Sequence, residues 1–360
     1  MRDKGKETVG ILLLNLGGPD SLSAVKPFLY NLFSDREIIR LGPSFLQKPI
    51  AWLISSSRSK ETKKLYSLIG GKSPIFDITA AQAEALEKAL NKERSAKNSE
   101  LSTQNSVLSF KVYIGMRYWH PFIKIAVENI LKDGIKHLIV ISLYPHYSKA
   151  TTGSALAEFK RAISKFQISN FKFQIKYIEQ WYDFPLYIDS LAELMFNGIL
   201  EFEKNNPPIP RGGGGLLCDV LFSAHSLPES FIKEGDPYVD HINATISEVC
   251  KRLSDSPYNI KNLKWHLSFQ SRSGTVKWLQ PATDETIIKL AKEGVKNLLV
   301  VPISFVSDHI ETLYEMDILY KELAGRHGIN FKRCKSLNTS EKFINALKEL
   351  VVLKIKELGI

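Results

Sequence analysis

The chain has 360 residues, of which 44% are hydrophobic and 24% are charged, a composition typical of a folded globular protein and not of a disordered one. This length suffices for two domains of ordinary size, and no apolar run approaches the roughly 18 residues that a membrane span needs. The net charge of +10 is spread along the chain without a nucleic-acid-binding motif, so it suits an anionic small molecule or acidic lipid as well as a polynucleotide.

The cysteines and the first residues of the chain bear on its compartment. Cys218, Cys250 and Cys334 are far apart and form no C-x-x-C pair, so we expect reduced thiols in a cytoplasmic setting. Three scattered cysteines are also too few to hold an iron–sulfur cluster alone. The opening residues, MRDKGKET, include acids and precede no apolar h-region, so they predict neither a secretory signal nor a transit peptide.

The first predicted strand is the apolar run 9–16, which ends at a Gly-Gly-Pro-Asp turn. Residues 45–64 then mix apolar side chains such as Trp52 with basic ones such as Arg58. This pattern fits either an ordinary surface helix or a lip that touches a membrane and takes up an apolar substrate. The segment 70–74, GGKSP, lacks the spacing of a phosphate-binding P-loop, so it does not predict a nucleotide site.

The second part of the chain repeats the pattern of the first. Pro121 begins a helix that closes at Lys-Asp-Gly before the strand 135–140. Displaced by 160 positions, Pro281 begins a helix that closes at Lys-Glu-Gly before the strand 295–300. Alternating strands and helices in each half predict an α/β fold in which each half forms a parallel sheet with helices on both faces.

The expected domain organisation follows from this repeat. We expect an N-terminal lobe over residues 1–204, a linker at 205–216 and a C-terminal lobe over 217–360, with a cleft between the lobes. The linker contains the segment NNPPIPRGGGG, whose glycine run has no strand before it and therefore does not predict a phosphate loop.

Unusual polar and aromatic residues follow six predicted strands, at the edge where open α/β sheets bind ligands. These segments are 15–18, 117–118, 144–147, 225–226, 270–272 and 304–311. We expect them to form a single large site.

The stretch 300–320, VVPISFVSDHIETLYEMDILY, predicts a buried strand that feeds a helix through a polar loop. Asp308, Glu311 and Glu315 are three and four residues apart, so in a helix they lie on one face. Two interpretations remain open at this point. Asp308 and Glu311 could form a capping box at the start of a solvated helix, or the three carboxylates could hold a cation.

His225 follows a short apolar strand and precedes Ser-Leu-Pro. It could be a structural hydrogen-bonding group, or, if it faces the cleft, a proton acceptor or metal ligand. Glu311 would oppose it, and one histidine with one carboxylate suits a divalent ion such as Fe²⁺ that is held only loosely. Together with aromatic walls and an arginine for carboxylates, this pair suggests a flat, apolar, anionic substrate that receives a metal.

Seven segments of the chain resemble the signature blocks of the ferrochelatase family, in that family's order and over about residues 10 to 320. They are LLNLGGPD at 13–20, GGKSPI at 70–75, GMRYWHPF at 115–122, LYPHYS at 143–148, FSAHSLPESFIKEGDPY at 222–238, QSRSGTVKWLQPATDE at 270–285 and SDHIETLYEMD at 307–317. The resemblance implies two similar Rossmann-like lobes. It also implies the terminal step of haem biosynthesis, in which a lyase inserts Fe²⁺ into protoporphyrin IX, giving protohaem and releasing two protons.

The resemblance also implies roles for individual residues. His225 is expected to be the metal-site histidine and the base for the pyrrole N–H protons. Glu311 is expected to face it across the macrocycle, in the gap between the lobes, as the second metal-site residue. Glu315 would continue an acidic route for metal or protons.

The same resemblance assigns the porphyrin pocket. Arg117, Tyr118 and Ser73 lie in blocks associated with the pocket and with the propionates, and Leu16 and Trp278 would be apolar walls. The LLNLGGP opening resembles the branch that uses protoporphyrin. The branch that uses coproporphyrin has a tyrosine near the end of the first strand, and residues 15–23 contain none.

The chain departs from the family pattern at two positions. Leu319 stands where many relatives have a further glutamate, so the metal route here is expected to be shorter. Lys72 replaces a glycine and could contact a propionate. The Cys-rich extension of cluster-bearing relatives is absent from the sequence.

These features complete the expected function. We expect Fe²⁺ to be a substrate, with no cofactor, no iron–sulfur cluster and no nucleic-acid partner. We also expect a monomer that can touch the inner membrane face peripherally. A related chelatase that inserts cobalt or nickel into another tetrapyrrole, and a carrier of haem or metal without catalysis, are the rival interpretations.

Overall fold

A computed structural model describes residues 7–94, 102–103, 106–165, 174–203, 218–272 and 276–359. The strands are β1 (Glu7–Asn15), β2 (Ser102–Thr103), β3 (Ser106–Met116), β4 (His137–Ser142), β5 (Gln174–Ile178), β6 (Asp219–His225), β7 (Trp265–Gln270), β8 (Asn297–Pro302) and β9 (Asn330–Arg333). The α-helices are α1 (Val25–Ser34), α2 (Gln47–Leu68), α3 (Ile75–Arg94), α4 (Ile123–Lys132), α5 (Ser154–Ser164), α6 (Pro185–Glu203), α7 (Glu229–Lys233), α8 (Tyr238–Ser254), α9 (Thr283–Lys292), α10 (Lys321–Arg326) and α11 (Glu341–Leu358). A 3₁₀ turn (Ser44–Leu46) precedes α2, and π-helical segments precede α5 (Lys149–Gly153) and α10 (Glu311–Tyr320).

The first sheet has the strand order β2-β3-β1-β4-β5. Its four longer strands are parallel, and the two-residue β2 pairs antiparallel with β3 at one edge. The central strand β1 contains the apolar run 9–14, and its residues from Ile11 to Leu14 are fully buried. Such a run is typical of a parallel strand that helices cover on both faces.

The second sheet is parallel throughout the described residues, with the order β7-β6-β8-β9. Its helices repeat the first half of the chain: α4 and α9 each end at a glycine with positive φ, Gly134 and Gly294, before the next strand. A glycine adopts this left-handed conformation without the steric penalty of a Cβ atom. The predicted α/β fold of two similar parallel sheets flanked by helices is confirmed.

The chain divides into two compact units, and the division differs from the boundaries expected at 204 and 217. The first unit is Met1–Trp181 with Asn338–Ile360, and the second is Tyr182–Leu337. The reason is where two long helices pack: α6 contacts α8 and β8, whereas α11 contacts α3, β4 and β5. The predicted linker 205–216 lies outside the described residues.

The apolar face of α11 explains why this last helix belongs to the first unit. Phe343, Leu347, Val351 and Ile355 recur every four residues and are buried. The ring of Phe343 stacks on Trp181, with ring centroids 5.9 Å apart. Because an amphipathic helix is stabilised chiefly by packing of its apolar face, this stripe fixes α11 on the first unit.

Candidate active site

The carboxyl ends of β6, β7 and β8 bring the most unusual polar residues of the second unit together. His225 ends β6, and its backbone N–H donates to Ser304 Oγ at 2.8 Å in the loop after β8. Tyr238 Oη donates to the His225 carbonyl at 3.0 Å. These bonds hold the backbone that carries the imidazole from two directions.

His225 and Glu311 form a direct pair. The imidazole Nδ1 lies 3.0 Å from Glu311 Oε2, and the Gln270 side-chain amide donates to the same oxygen at 2.9 Å. The His225 side chain is 32% exposed, whereas that of Glu311 is 11% exposed. The pair is therefore buried on the carboxylate side and open on the imidazole side.

This contact corrects the expected placement of the pair. Glu311 was predicted to face His225 across a tetrapyrrole-sized gap between lobes, but both residues belong to the second unit and are within hydrogen-bond distance. A macrocycle cannot lie between two atoms 3.0 Å apart. His225 ends β6, and Glu311 begins the π-helical segment after the neighbouring strand β8, so both side chains come from the same edge of one sheet.

Charge and burial oppose each other at this pair. Burial alone would lower the pKa of His225, but the negative charges of Glu311 and Glu315 outweigh it and raise that pKa above its ordinary value. Burial alone would raise the pKa of Glu311, but His225 and then His309 hold the pKa of that carboxyl well below its usual range. Glu311 is therefore a carboxylate at neutral pH.

Glu315 lies beyond Glu311 in the π-helical segment Glu311–Tyr320 and accepts a hydrogen bond from Ser271 Oγ at 2.7 Å. Burial and then the charge of Glu311 raise the pKa of Glu315 to about 7. Glu315 and Leu319 also line a cavity of about 430 Å³, which Arg272 and Asp284 border. A carboxyl group with this pKa can gain or lose a proton near neutral pH.

The structure supports neither sequence-based interpretation of Asp308 in full. The carboxylate of Asp308 accepts hydrogen bonds from Arg333 and Ser336, at 3.0 and 2.7 Å. It does not join Glu311 and Glu315 in one stripe, and the N-cap position of the segment, Ile310, has no side-chain capping bond. The segment is also a π-helix, which the α-helical spacing did not predict.

Arg117 and Tyr118 lie together in the first unit, at the carboxyl end of β3, around the buried carboxylate of Asp35. Arg117 Nη2 donates to Asp35 Oδ2 at 2.8 Å, and its Nε donates to Ser154 Oγ at 2.8 Å. Tyr118 Oη donates to the same Asp35 oxygen at 2.6 Å. The Arg117 side chain is 13% exposed. The guanidinium expected to meet a propionate is thus already paired within the protein.

Leu16 and Ser73 flank the end of β1. The Leu16 carbonyl accepts the backbone N–H of Tyr118, and Ser73 N–H donates to the Pro19 carbonyl at 2.8 Å. Gly18 is required here, because a Cβ atom would lie 2.5 Å from the Ser73 side chain. The structure therefore brings the first and second signature segments together as expected, with Ser73 buried.

Lys72 and Trp278 are the remaining two residues singled out from the sequence, and they lie in different units. The Lys72 ammonium pairs with Asp77 at 2.7 Å, on the protein surface. Trp278 is half-buried and forms an isolated antiparallel bridge with Pro228, three residues after His225. Of the predicted residues, Trp278 therefore joins His225, Glu311 and Glu315 in the second unit.

Gln270, Ser304 and His309 lie in segments that were expected at the site, but sequence reasoning assigned none of them an individual role. Gln270 and Ser304 bond to the pair and its backbone, and His309 Nε2 lies 3.7 Å from Glu311 Oε1. Gln270 could have been found from the strand order, because it ends β7 beside His225 in the parallel register. Asp35, by contrast, lies 82 residues before Arg117, and no sequence pattern connects them.

The Asp35 cluster predicts a large effect on stability. Arg117→Leu is expected to lower the free energy of unfolding by about 3–5 kcal/mol, because it leaves a buried carboxylate without its cation. Chemical denaturation measures this. Lys124→Leu is the control in the same unit: its pair with Glu128 is exposed, so its loss costs at most about 1 kcal/mol. Equal losses in the two variants would contradict the prediction.

Comparison with known proteins agrees with the sequence blocks. The family described as Ferrochelatase matches residues 8–355. Ferrochelatase of Geotalea uraniireducens is 48% identical over 346 residues, which cover 96% of this chain and 97% of the relative. Ferrochelatase of Rippkaea orientalis is 44% identical over 356 residues, which cover 98% of this chain and 84% of the relative. A solved structure of SirB from Bacillus subtilis with Fe³⁺ has a TM-score of 0.48 at 11% identity over 96% of this chain and 94% of that one, a likeness too low to bear on function.

Proposed function

Because this chain belongs to the ferrochelatase family, we propose that it inserts Fe²⁺ into protoporphyrin IX, giving protohaem and releasing two protons as the terminal step of haem biosynthesis. The observation that carries the chemistry is the contact between His225 Nδ1 and Glu311 Oε2 at 3.0 Å, with the imidazole partly open and the carboxylate enclosed.

This contact supports His225 as the proton acceptor. When Glu311 accepts the Nδ1–H bond, the neutral imidazole carries its lone pair on Nε2. Among the described residues, Nε2 of His225 has no hydrogen-bonding partner, so it is available to a pyrrole N–H. The acceptor must be neutral, so proton removal by His225 becomes faster as the pH rises through the pKa of this residue.

Iron is a substrate of the proposed reaction, and the side chains of His225 and Glu311 are suited to bind it transiently. An imidazole and a carboxylate offer one nitrogen and one oxygen donor, a set that binds Fe²⁺ without the strength of a thiolate site. Weak binding favours transfer, because the metal must leave the protein for the four porphyrin nitrogens. We propose His225 and Glu311 as these transient ligands.

Glu315 supports a route for the released protons. Its pKa of about 7 lets it take up and give off a proton near neutral pH, and it borders the cavity of about 430 Å³. Leu319, where the resemblance implied a further glutamate, lines the same cavity. We propose that in this chain the acidic part of the route ends at Glu315.

The porphyrin itself is proposed to contact Leu16, Ser73 and Trp278. Arg117 and Tyr118 contribute through the Asp35 cluster, because both side chains are paired with that carboxylate. A grip that distorts the planar macrocycle would expose the pyrrole lone pairs to the metal, with the strain supplied by binding contacts away from the reacting centre.

Anaerobic incubation of the protein with protoporphyrin IX and Fe²⁺, followed by absorption spectroscopy, tests the proposed function. We expect the spectrum of the free base to be replaced by that of protohaem at a rate proportional to enzyme concentration. Tight porphyrin binding without conversion would indicate a carrier. Conversion only with cobalt or nickel and another tetrapyrrole would indicate a different chelatase. Either result contradicts the proposal.

We propose that the chain works without an iron–sulfur cluster. Cys218 and Cys334 are buried and Cys250 is half-buried, and three separate thiols are too few to supply the four ligands of a cluster. An iron and sulfide assay of the purified protein tests this. We also propose a monomer, and sedimentation measures the oligomeric state.

We also propose a cytoplasmic location with peripheral contact to the inner membrane face. Among the described helices, none is long and apolar enough to span a membrane. The exposed side of the 3₁₀ turn and α2 carries the apolar side chains of Phe45, Trp52 and Leu53. Basic residues such as Arg58 and Lys60 are exposed on the same helix, a combination that favours a surface of anionic lipid.

The membrane proposal predicts a loss of vesicle binding. Phe45→Glu combined with Leu53→Glu is expected to weaken binding to vesicles of phosphatidylglycerol and phosphatidylcholine at least about tenfold, because each buried side chain contributes about 1.5–3 kcal/mol when fully covered. Cosedimentation measures the bound fraction. Leu353→Glu on α11, also an exposed leucine, is the control that should bind as the unchanged protein does. Unaltered binding of the double variant would contradict the proposed surface.

A further inference from the structure

Arg333 links two carboxylates of the segment that carries Glu311 and Glu315. Its Nε and Nη2 donate to the two oxygens of Asp317 at 2.8 and 2.9 Å, and its Nη1 donates to Asp308 Oδ1 at 3.0 Å. Ser336 Oγ donates to the same Asp308 oxygen at 2.7 Å. The Arg333 side chain is 12% exposed. We call this group, Arg333 with Asp308, Asp317 and Ser336, the Arg333 bridge.

In the sequence, the two carboxylates that Arg333 binds flank the glutamates Glu311 and Glu315. Asp308 is three residues before Glu311, and Asp317 is two residues after Glu315. Both glutamates lie in the π-helical segment Glu311–Tyr320, and this rare geometry is frequent at functional sites. The Arg333 bridge supplies a contact at both ends of the part that carries the two glutamates.

The arginine is held on a rigid part of the second unit. Arg333 ends β9, in parallel register with Val300 of β8, and the following N–H, of Cys334, donates to the Val300 carbonyl at 2.8 Å. The guanidinium is planar and binds Asp317 through two parallel bonds, which fixes direction as well as distance. A lysine at this position would keep the charge but could not reproduce this fork.

The negative charge of the segment is a second reason for the position of the Arg333 guanidinium. Residues 308–317 contain four acids, of which Glu311 is paired with His225. Asp308 and Asp317 carry two negative charges next to the glutamates, and Arg333 meets both. Without it, the carboxylates would repel one another and the segment would open.

From these contacts we infer that Arg333 is a positioning residue for iron insertion, which holds Glu311 in place against His225 by fixing both ends of its segment to the sheet. This inference rests on the proposed function. It assigns Arg333 no contact with the porphyrin or with iron.

Steady-state kinetics of Arg333→Lys test the inference. We expect kcat to fall about 10- to 100-fold, the cost of a misplaced reacting group, with the KM for protoporphyrin IX within about twofold of the unchanged enzyme. Arg252→Lys is the matched control, since Arg252 pairs with Asp189 in the same unit outside the segment. The kcat of Arg252→Lys should stay within about twofold of that of the unchanged enzyme.

Asp317→Glu provides a second variant, because it keeps the charge and lengthens the arm by one methylene. We expect it also to lower kcat without changing the KM for protoporphyrin IX. If either variant has a kcat per folded molecule equal to that of Arg252→Lys, or loses turnover only in proportion to its unfolded fraction, the inference is overturned.

Hydrogen–deuterium exchange separates this inference from the proposed function. We expect exchange in 309–320 to rise about tenfold in Arg333→Lys and to stay unchanged in Arg252→Lys, as for a local opening of that segment. If the unchanged protein forms no haem, the proposed function fails, and faster exchange still supports the bridge. If the exchange rate of 309–320 is the same in Arg333→Lys as in the unchanged protein, the inference about Arg333 is overturned.

Discussion

His225→Ala is expected to abolish haem formation while porphyrin binding stays within a few-fold of the unchanged enzyme. The variant removes the nitrogen that accepts the pyrrole protons, and a positioned general base contributes about 10²- to 10⁴-fold to a rate. It also removes one of the two proposed iron donors. Anaerobic turnover and fluorescence titration with protoporphyrin IX measure the two effects separately.

His266 offers a matched control for this experiment. It belongs to the neighbouring strand β7, pairs with Asp219 at 3.1 Å, and has a side chain 33% exposed, against 32% for His225. His266→Ala therefore removes a similar histidine–carboxylate pair outside the site and should retain turnover. Retained turnover in His225→Ala would refute the role of His225.

Glu311→Gln is expected to lower kcat by about 10- to 100-fold, the usual effect of removing the partner that orients a metal-site histidine. It should also move the pH profile. The charge of Glu311 raises the pKa of His225, so the unchanged enzyme loses its neutral base as the pH falls through this raised value. Without that charge the pKa of His225 falls, and the acid limb of kcat/KM moves to lower pH.

The pH profile of kcat/KM, measured with saturating Fe²⁺, tests this prediction. Asp219→Asn is the control, because it removes the carboxylate that pairs with His266 and leaves Glu311 in place. Its profile should match that of the unchanged enzyme. An acid limb at the same pH in Glu311→Gln would count against the pairing of Glu311 with His225 during catalysis.

The fold could be predicted from the sequence because its signals are local. The strand 135–140 and its counterpart 295–300 are apolar runs after helices that close at glycine, and both correspond to observed strands, β4 and β8. The packing of α11 on the first unit could not be predicted in this way. Its buried stripe shows that the helix needs an apolar partner but not which of two similar sheets provides it.

The positions of some candidate residues in the sheet could be predicted from the sequence, but the geometry of the candidate site could not. Strand order places His225 and Gln270 at one sheet edge, yet the direct contact with Glu311 depends on how the chain turns after β8. The segment that follows this turn and carries Glu311 is π-helical, and the spacing of apolar residues does not distinguish it from an α-helix. The pairing of Arg117 with Asp35 depends on tertiary contact alone, whereas the resemblance placed Arg117 with the porphyrin propionates.

The division of the chain into units has a consequence for its biosynthesis. Residues 182–337 form the second unit without interruption, whereas the first unit needs α11, which follows them in the chain. During translation the second unit is therefore complete before the first, although the first began earlier. Until α11 leaves the ribosome, this helix does not yet cover the apolar side chains of the first unit that it packs on, such as Trp181, and a nascent chain that stalls late exposes this apolar surface to chaperones.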